Sequence, residues 1–222
     1  MKTEDITILN RIPYNNLILL ISGVPGMGKT TISYELLKNY NQFRIIEETD
    51  IVREVLRGYN NYLKITFGKE INYMLDKIYI SDHTKLLTFE EAKEQCTFMK
   101  QSLLEIITRQ QRKGISTIIN GVHIIPEVLN DFINKDNIVF INLYVTNEHK
   151  IYDRIYQRDP NSYMLDNIPL IYQTNHDLYL STEKIALGSH NIFNIDVTDL
   201  RINETVKKIV DNINQIGELF HN

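Results

Sequence analysis

Short apolar runs alternate with longer segments whose apolar residues recur at helical spacing. The run at residues 17–22, LILLIS, is typical of a strand that is buried on both faces of a parallel sheet. The same pattern predicts further strands at residues 43–46, 115–119, 138–145 and 193–197. Helices are predicted at residues 31–40, 50–57, 88–113, 148–158, 165–187 and 202–219. Because strands and helices alternate, we expect an α/β fold, a three-layer sandwich whose mostly parallel sheet has helices on both faces.

Two of the predicted helices carry boundary signals. Asp50 suits the N-cap of the second helix, and Gly58 suits its end. Thr88 and Glu91 have the spacing of a capping box, in which each side chain accepts a hydrogen bond from the other residue's backbone N–H group. Residues 59–87, which lie between these two helices, have a mixed pattern that predicts no single element.

Length and composition narrow the class of protein. At 222 residues the chain suits one domain that spans residues 1–222. A formal net charge of -4 gives no support for a nucleic-acid partner, and no apolar run approaches the length of a membrane span. A lone cysteine, Cys96, cannot form a disulfide framework or a zinc site, so we interpret it as a small residue on the apolar side of a helix. Acidic residues stand near the N-terminus where a signal peptide needs basic ones, so we expect a cytoplasmic protein.

A glycine-rich segment between the first strand and the first helix matches the phosphate-binding motif G-x-x-x-x-G-K-[ST]. Glycines let the backbone approach phosphates closely and turn its N–H groups inward, and the following helix adds its positive N-terminal end. Lys29 can reach the outer phosphates, which makes it a candidate catalytic residue, and the hydroxyl of Thr30 can bind Mg²⁺. We therefore predict an ATP site formed by Gly23, Val24, Pro25, Gly26, Met27, Gly28, Lys29, Thr30 and Thr31.

Other nucleotide-binding classes that share this loop fit less well. A GTPase needs an Asn-Lys-x-Asp sequence just after a strand, whereas NKDN at residues 134–137 precedes a strand and ends in Asn. An AAA-type ATPase normally has an apolar strand that ends in Asp-Glu, whereas the strand ISTIIN ends in Asn120. A kinase that phosphorylates a small molecule fits the length best, and ATP and Mg²⁺ are its expected cofactors.

The acceptor side of such a kinase is predicted near the end of the second strand. Asp50 follows that strand at the sheet edge where α/β proteins bind ligands, so its carboxylate is a candidate to orient or deprotonate an acceptor hydroxyl. The alternative is that Asp50 is only a helix N-cap, and Glu47 and Glu48 are nearby substitutes. Arg53 and Arg57 lie four residues apart on one helix face, where they could grip an anionic acceptor or form a solvated basic face.

A lid is predicted at about residues 147–165, and an acceptor-side cap at about residues 50–88. Arg154 and Arg158 share one face of the lid helix, where they could close over ATP and stabilise the charge in transfer as catalytic residues. The alternative is a surface helix in which nearby aspartates pair with these arginines. His123 follows the third strand and is a candidate contact to the acceptor or the phosphates, although a histidine in a loop is more often structural.

Several segments together resemble the 2-phosphoglycerate kinase family of P-loop kinases. They are GVPGMGKTTIS, TDIVREVLR, the helix TFEEAKEQCTFMKQSLLEIITRQQRKG that runs into ISTIINGVHIIP, the lid-like HKIYDRIYQRD, the following YMLDNIPLIYQTNHDLYLSTEK and the C-terminal NIFNIDVTDLRINETVKKIV. The resemblance implies a P-loop NTPase fold with a helical lid, and phosphate transfer from ATP to 2-phosphoglycerate. It would make Arg53 and Arg57 the grips for the acceptor's phosphate and carboxylate. The family has a glutamate where this chain has Asn120, so the role of that glutamate is absent here or is carried by Asp50 or Glu48.

Three functions are compatible with the sequence. The first is a small-molecule kinase with an anionic acceptor such as 2-phosphoglycerate. The second is a nucleoside, nucleotide or polynucleotide 5′-end kinase, which shares the loop, the lid and an acidic group on the acceptor side. The third is a non-catalytic ATP-binding module, in which Asn120 in place of the family's glutamate indicates that the catalytic activity has been lost. The sequence gives no indication of the oligomeric state.

Overall fold

The computed structural model describes residues 16–68, 88–135 and 137–220, and these residues have the predicted α/β fold. The strands are β1 (Ile18–Ser22), β2 (Phe43–Glu48), β3 (Ser116–Asn120), β4 (Ile138–Tyr144) and β5 (Ile192–Asp196). They form one sheet in the order β2-β3-β1-β4-β5, in which every pair of neighbours is parallel. Every residue of β1 is buried, which explains why its sequence is an almost continuous apolar run.

Helices cover both faces of this sheet, as the sequence predicts. They are α1 (Lys29–Asn39), α2 (Thr49–Phe67), α3 (Phe89–Arg112), α4 (Pro126–Ile133), α5 (Glu148–Arg158), α6 (Ile168–Ala186) and α7 (Ile202–Phe220). Successive side chains of a strand point to opposite faces. Leu19 and Ile21 therefore pack in a core with α1, α5 and α7, whereas Ile18 and Leu20 pack in a second core with α3 and α4.

Helix α2 is longer than the sequence analysis predicts. It runs through Gly58 to Phe67, and its N-cap is Glu48 rather than Asp50, so both predicted boundaries are wrong. Gly58 does not end the helix because its φ is not positive, and the helix ends only at Gly68, where φ is 77°. The reason is that a glycine inside a helix weakens it only modestly, whereas a helix end needs a backbone turn out of the helical conformation.

The other predicted strands and helices are present in the structure, but several begin or end at different residues. The capping box of Thr88 and Glu91 is confirmed at the start of α3. Helix α4 was not predicted, although Pro126 stands in its first turn, a typical helix start. A 3-10 helix at Tyr163–Asn167 precedes α6, which begins at Ile168 rather than at residue 165. Of the mixed stretch at residues 59–87, residues 69–87 lie outside the described residues.

The carboxyl ends of the strands meet at one edge of the sheet, which positions the site. Asn120 in β3 is paired in register with Ile21 in β1 and with Glu48 in β2. The phosphate-binding loop and the start of α2 leave the sheet from this edge, which is where open α/β sheets bind their ligands. Within the described ranges, no helix has the length and apolar character that a membrane span requires.

Candidate active site

The phosphate-binding loop joins β1 to α1 with backbone conformations that favour glycine. Gly23 has a φ of 141°, and a Cβ atom there would lie only 2.7 Å from the carbonyl oxygen of Leu143 in β4. Gly28 is the N-cap of α1 in the left-handed conformation, and no side chain caps this helix. The first backbone N–H groups of α1 therefore have no intrahelical or side-chain acceptor. They form the positive helix end that binds a phosphate group well.

A cleft of about 750 Å³ lies between this loop, the ends of β2 and β3, helix α5 and the start of α7. Its volume is typical of a site for a small molecule. The loop side is formed by residues 25–32. The other lining residues are Glu48, Asp50, Asn120, Gly121, Val122, Arg154, Gln157, Arg158, Met164, Val197, Leu200, Arg201, Ile202 and Thr205.

Lys29 is the first residue of α1, and its ammonium group donates a 3.0 Å hydrogen bond to the carbonyl oxygen of Val24. Burial lowers the pKa of Lys29 from 10.5 to about 8. The positive charge of Arg158 also lowers this pKa, whereas the carboxylates of Asp50 and Glu48 oppose the shift. The nearby carboxylates therefore do not fully compensate the buried positive charge of the ammonium group, and a bound phosphate would add the missing negative charge.

The lining of the cleft includes the hydroxyl of Thr30 and the carboxylates of Glu48 and Asp50. Oxygen ligands are the ones that Mg²⁺ prefers, so their chemistry fits this ion. In the described part of the chain, no three His, Cys, Asp or Glu side chains are arranged to hold a metal ion by themselves. A magnesium ion here would therefore need phosphate oxygens and water as further ligands, which is its usual mode of binding.

Asn120 is buried at the end of β3 and points toward α1. Its amide nitrogen donates a 3.1 Å hydrogen bond to the hydroxyl of Ser33, and Ser33 donates to the carbonyl oxygen of Lys29 at 2.8 Å. A carboxylate at position 120 could accept a hydrogen bond from Ser33 but could not donate one. Asn120 therefore ties β3 to the helix that follows the phosphate-binding loop.

Asp50 lies in the first turn of α2, where 60% of its side chain is exposed and it lines the cleft. Its Oδ1 atom is 3.7 Å from Nη2 of Arg53 and 3.6 Å from Nδ1 of His123. Negative charge in the first turn of a helix is favourable because the N-terminal end of the helix is positive. The structure thus brings Asp50, Arg53 and His123 together next to the loop, although His123 lies 70 residues after Arg53 in the sequence.

The other arginines of the prediction have different surroundings. Arg57 lies one turn after Arg53 in α2, and its guanidinium donates a 3.2 Å hydrogen bond to the carboxylate of Glu54. Arg57 does not line the cleft. Arg154 lines the cleft, but its guanidinium donates to the backbone carbonyl oxygens of Val197 and Thr198 in the loop after β5. Arg158 is exposed at the cleft and contacts the sulfur of Met164 at 3.6 Å. The two arginines of the predicted lid therefore differ, since the guanidinium of Arg154 is hydrogen-bonded to the backbone and Arg158 faces the cleft.

The loop between β5 and α7 forms one wall of the cleft, and the sequence analysis missed it. Val197, Leu200 and Ile202 give this wall apolar surface, and Arg201 adds a positive charge. The loop follows the last strand at the same sheet edge as the phosphate-binding loop. The rule that ligands bind at the carboxyl ends of parallel strands could have identified it.

Comparison with known proteins supports the resemblance. No protein-family model matches the chain. The 2-phosphoglycerate kinase of Methanothermobacter thermautotrophicus is 30% identical over 158 residues, which are 64% of this chain and 47% of that protein. The 2-phosphoglycerate kinase of Methanocaldococcus jannaschii is 27% identical over 216 residues, 94% of this chain and 65% of that protein. The chain thus spans less than two thirds of the length of these relatives.

Among solved structures, a gluconokinase from Sinorhizobium meliloti has the same fold. The two chains superpose with a TM-score of 0.58 at 14% sequence identity, over 93% of this chain and 96% of the gluconokinase. The predicted fold class and the predicted resemblance are both confirmed. The chain is thus similar in sequence to the archaeal 2-phosphoglycerate kinases, and it has the α/β fold of the gluconokinase.

Proposed function

We propose that the protein is an ATP-dependent kinase that transfers the γ-phosphate to a hydroxyl group of a small anionic acceptor, with 2-phosphoglycerate as the first acceptor to test. The observation that carries the proposal is that one cleft combines the phosphate-binding loop, Lys29 and the carboxylate of Asp50. A carboxylate in this position could accept the proton of an acceptor hydroxyl, which a kinase requires. The names of the two archaeal relatives support the choice of acceptor.

The nucleotide is proposed to lie along the loop and the start of α7. The backbone N–H groups at the start of α1 and the ammonium group of Lys29 would bind the β- and γ-phosphates. The apolar surface of Val197, Leu200 and Ile202 would take the base. Mg²⁺ would offset part of the phosphate charge when it is held by the Thr30 hydroxyl and phosphate oxygens, with Glu48 and Asp50 nearby.

Phosphate transfer would begin when Asp50 accepts a hydrogen bond from the acceptor hydroxyl. The hydroxyl oxygen forms a bond to the γ-phosphorus atom, and the bond from that atom to the β–γ bridging oxygen breaks, which releases ADP. The hydroxyl proton passes to Asp50, and from there to solvent. Lys29 and Arg158 would stabilise the charge on the transferred group, since positioning and electrostatic stabilisation account for most of the catalysis of such transfers.

A γ-phosphate transfer assay with a panel of acceptors tests the proposal. The panel contains 2-phosphoglycerate, 3-phosphoglycerate, sugar acids, nucleosides, nucleotides and RNA 5′ ends. We expect turnover with a small anionic acceptor, and we expect Lys29→Ala and Asp50→Asn each to lower kcat by about 100-fold or more. Matched controls are Lys38→Ala, an exposed lysine on the same helix, and Asp153→Asn, an exposed aspartate on α5. Both controls should keep the wild-type rate.

The outcomes distinguish the candidate functions. Turnover only with nucleosides, nucleotides or RNA ends would contradict the proposed acceptor class but not the kinase activity. ATP binding by calorimetry without turnover on any acceptor would contradict the kinase and favour a nucleotide-binding module. A full rate for Asp50→Asn on the best acceptor would show that another group accepts the proton.

A further inference from the structure

His123 lies beneath the first turn of α2, in the loop after β3, and its side chain is completely buried. Its Nδ1 atom is 3.3 Å from Oγ1 of Thr49 and 3.6 Å from Oδ1 of Asp50. Its Nε2 atom is 3.4 Å from Nη1 of Arg53. The loop can approach so closely because residue 121 is a glycine, and a Cβ atom there would lie 1.7 Å from Oγ1 of Thr49. One imidazole ring therefore contacts both charged groups of the acceptor side and has no direct access to the cleft.

The hydrogen-bond partners define the protonation state of this ring. A guanidinium group can only donate, so Nε2 of His123 must accept from Arg53. The single proton of the neutral ring is then on Nδ1, which donates to the hydroxyl of Thr49. Burial lowers the pKa of His123 to about 4, and the charges of Arg53 and Lys29 lower it too, whereas Asp50 opposes them. The ring is therefore neutral at pH 7.

Arg53 depends on this ring for its position. Among the described residues, the guanidinium has its one hydrogen bond with His123, and its buried Nε atom has no partner there. Its Nη2 atom is 3.4 Å from a carboxylate oxygen of Glu54 and 3.7 Å from Asp50. Without the imidazole acceptor, the guanidinium would be free to move toward Asp50. A close ion pair would then compete with the acceptor hydroxyl for the carboxylate.

We propose that His123 is a positioning residue that holds Arg53 through Nε2 and the first turn of α2 through Nδ1, so that Asp50 stays available to the acceptor hydroxyl. The inference rests on the proposed kinase function, and it assigns no contact between His123 and the acceptor. A ring that only filled space would need neither an acceptor at one end nor a donor at the other. The hydrogen bonds at Nε2 and Nδ1 can therefore be tested separately.

Three substitutions separate the two ends of the ring. His123→Gln places an amide near the position of Nε2 and can still accept from Arg53, whereas His123→Asn places an amide near Nδ1 and can still donate to Thr49. His123→Leu keeps the apolar volume and loses both hydrogen bonds. His176→Asn, at an exposed histidine of α6, is the matched control. Each variant is assayed for kcat, for the KM of the acceptor and of ATP, and for its melting temperature.

We expect His123→Leu to lower kcat/KM for the acceptor by about 100-fold, with the KM of ATP changed by less than about threefold. His123→Gln should recover about tenfold of this loss, because it still holds Arg53 and keeps its guanidinium from moving closer to Asp50 than the present 3.7 Å. His123→Asn should recover less, and mainly in kcat, because it leaves Arg53 free. Equal losses in all three variants that follow the melting temperature would overturn the proposal, as would variants that match the control.

A second measurement remains decisive even if the wild type phosphorylates no acceptor. The ¹⁵N chemical shifts of the His123 ring report its tautomer directly in the intact protein. We expect the neutral Nδ1–H form between pH 5.5 and 8, unchanged when ADP and Mg²⁺ are added. An Nε2–H form or an imidazolium at pH 7 would refute the positioning role. Absence of turnover together with the expected tautomer would instead refute the proposed function and leave the geometry intact.

Discussion

Lys29 offers the sharpest test of the electrostatics of the cleft. Its ammonium group is held against the carbonyl oxygen of Val24, and its pKa is lowered from 10.5 to about 8, chiefly by burial. Between these two pH values the unfolded chain binds more protons than the folded protein, so stability rises with pH in that window. The folded protein therefore carries a penalty at pH 7 that fades as the pH rises through 8 toward 10.5. Methionine at this position has a similar length and no charge, and it removes the penalty.

The size of the effect follows from the two pKa values. From pH 7 to pH 9.5, the free energy of unfolding of the wild type should rise by about 2 kcal/mol relative to Lys29→Met. All other titrating groups are the same in both proteins, so their contributions cancel in the difference. Urea unfolding at several pH values, without nucleotide, measures it. Lys38→Met is the control, since this lysine is on the same helix with 74% of its side chain exposed, and its difference should not vary in this way.

Addition of nucleotide at pH 7 should narrow the difference in stability between the wild type and Lys29→Met. ATP with Mg²⁺ at about 100 times its dissociation constant should stabilise the wild type by about 2.7 kcal/mol, because it binds only the folded protein. Lys29→Met should gain much less, since the bound phosphates lose their cation. A difference between wild type and Lys29→Met that is flat from pH 7 to 9.5 would refute the buried-cation reasoning. Equal stabilisation of both proteins by ATP would refute the role of Lys29 at the phosphates.

Three further predictions concern the fold. Gly58→Ala should raise the free energy of unfolding by about 0.5 to 1 kcal/mol in urea, because Gly58 is inside α2 with nothing within 4 Å of an added Cβ; a loss would argue against a continuous helix. Gly121→Ala should lower it by about 3 kcal/mol in the same assay, because the new Cβ would overlap Thr49; a neutral result would contradict this packing. Cys96 should react with a thiol reagent only at the rate of unfolding, since burial raises its pKa to about 12; rapid labelling of the folded protein would contradict this burial.

The sequence by itself determined the order of the five strands and the position of the phosphate-binding loop. Apolar runs such as residues 17–22 identify buried strands because both faces of a central parallel strand exclude water. The loop could be recognised because its glycines, lysine and threonine are contiguous. The capping box at Thr88 was equally local, since its two side chains are three residues apart.

Only the tertiary structure decided which side chains meet at the cleft. His123 reaches Arg53 across 70 residues of sequence, and Arg154 reaches the carbonyl oxygen of Val197 across 43. The sheet order β2-β3-β1-β4-β5 brings these elements together, and apolar periodicity indicates which faces are buried but not which elements become neighbours. The continuation of α2 past Gly58 could not be read from that residue alone, because a single glycine inside a helix costs only about 1 kcal/mol and does not by itself end the helix.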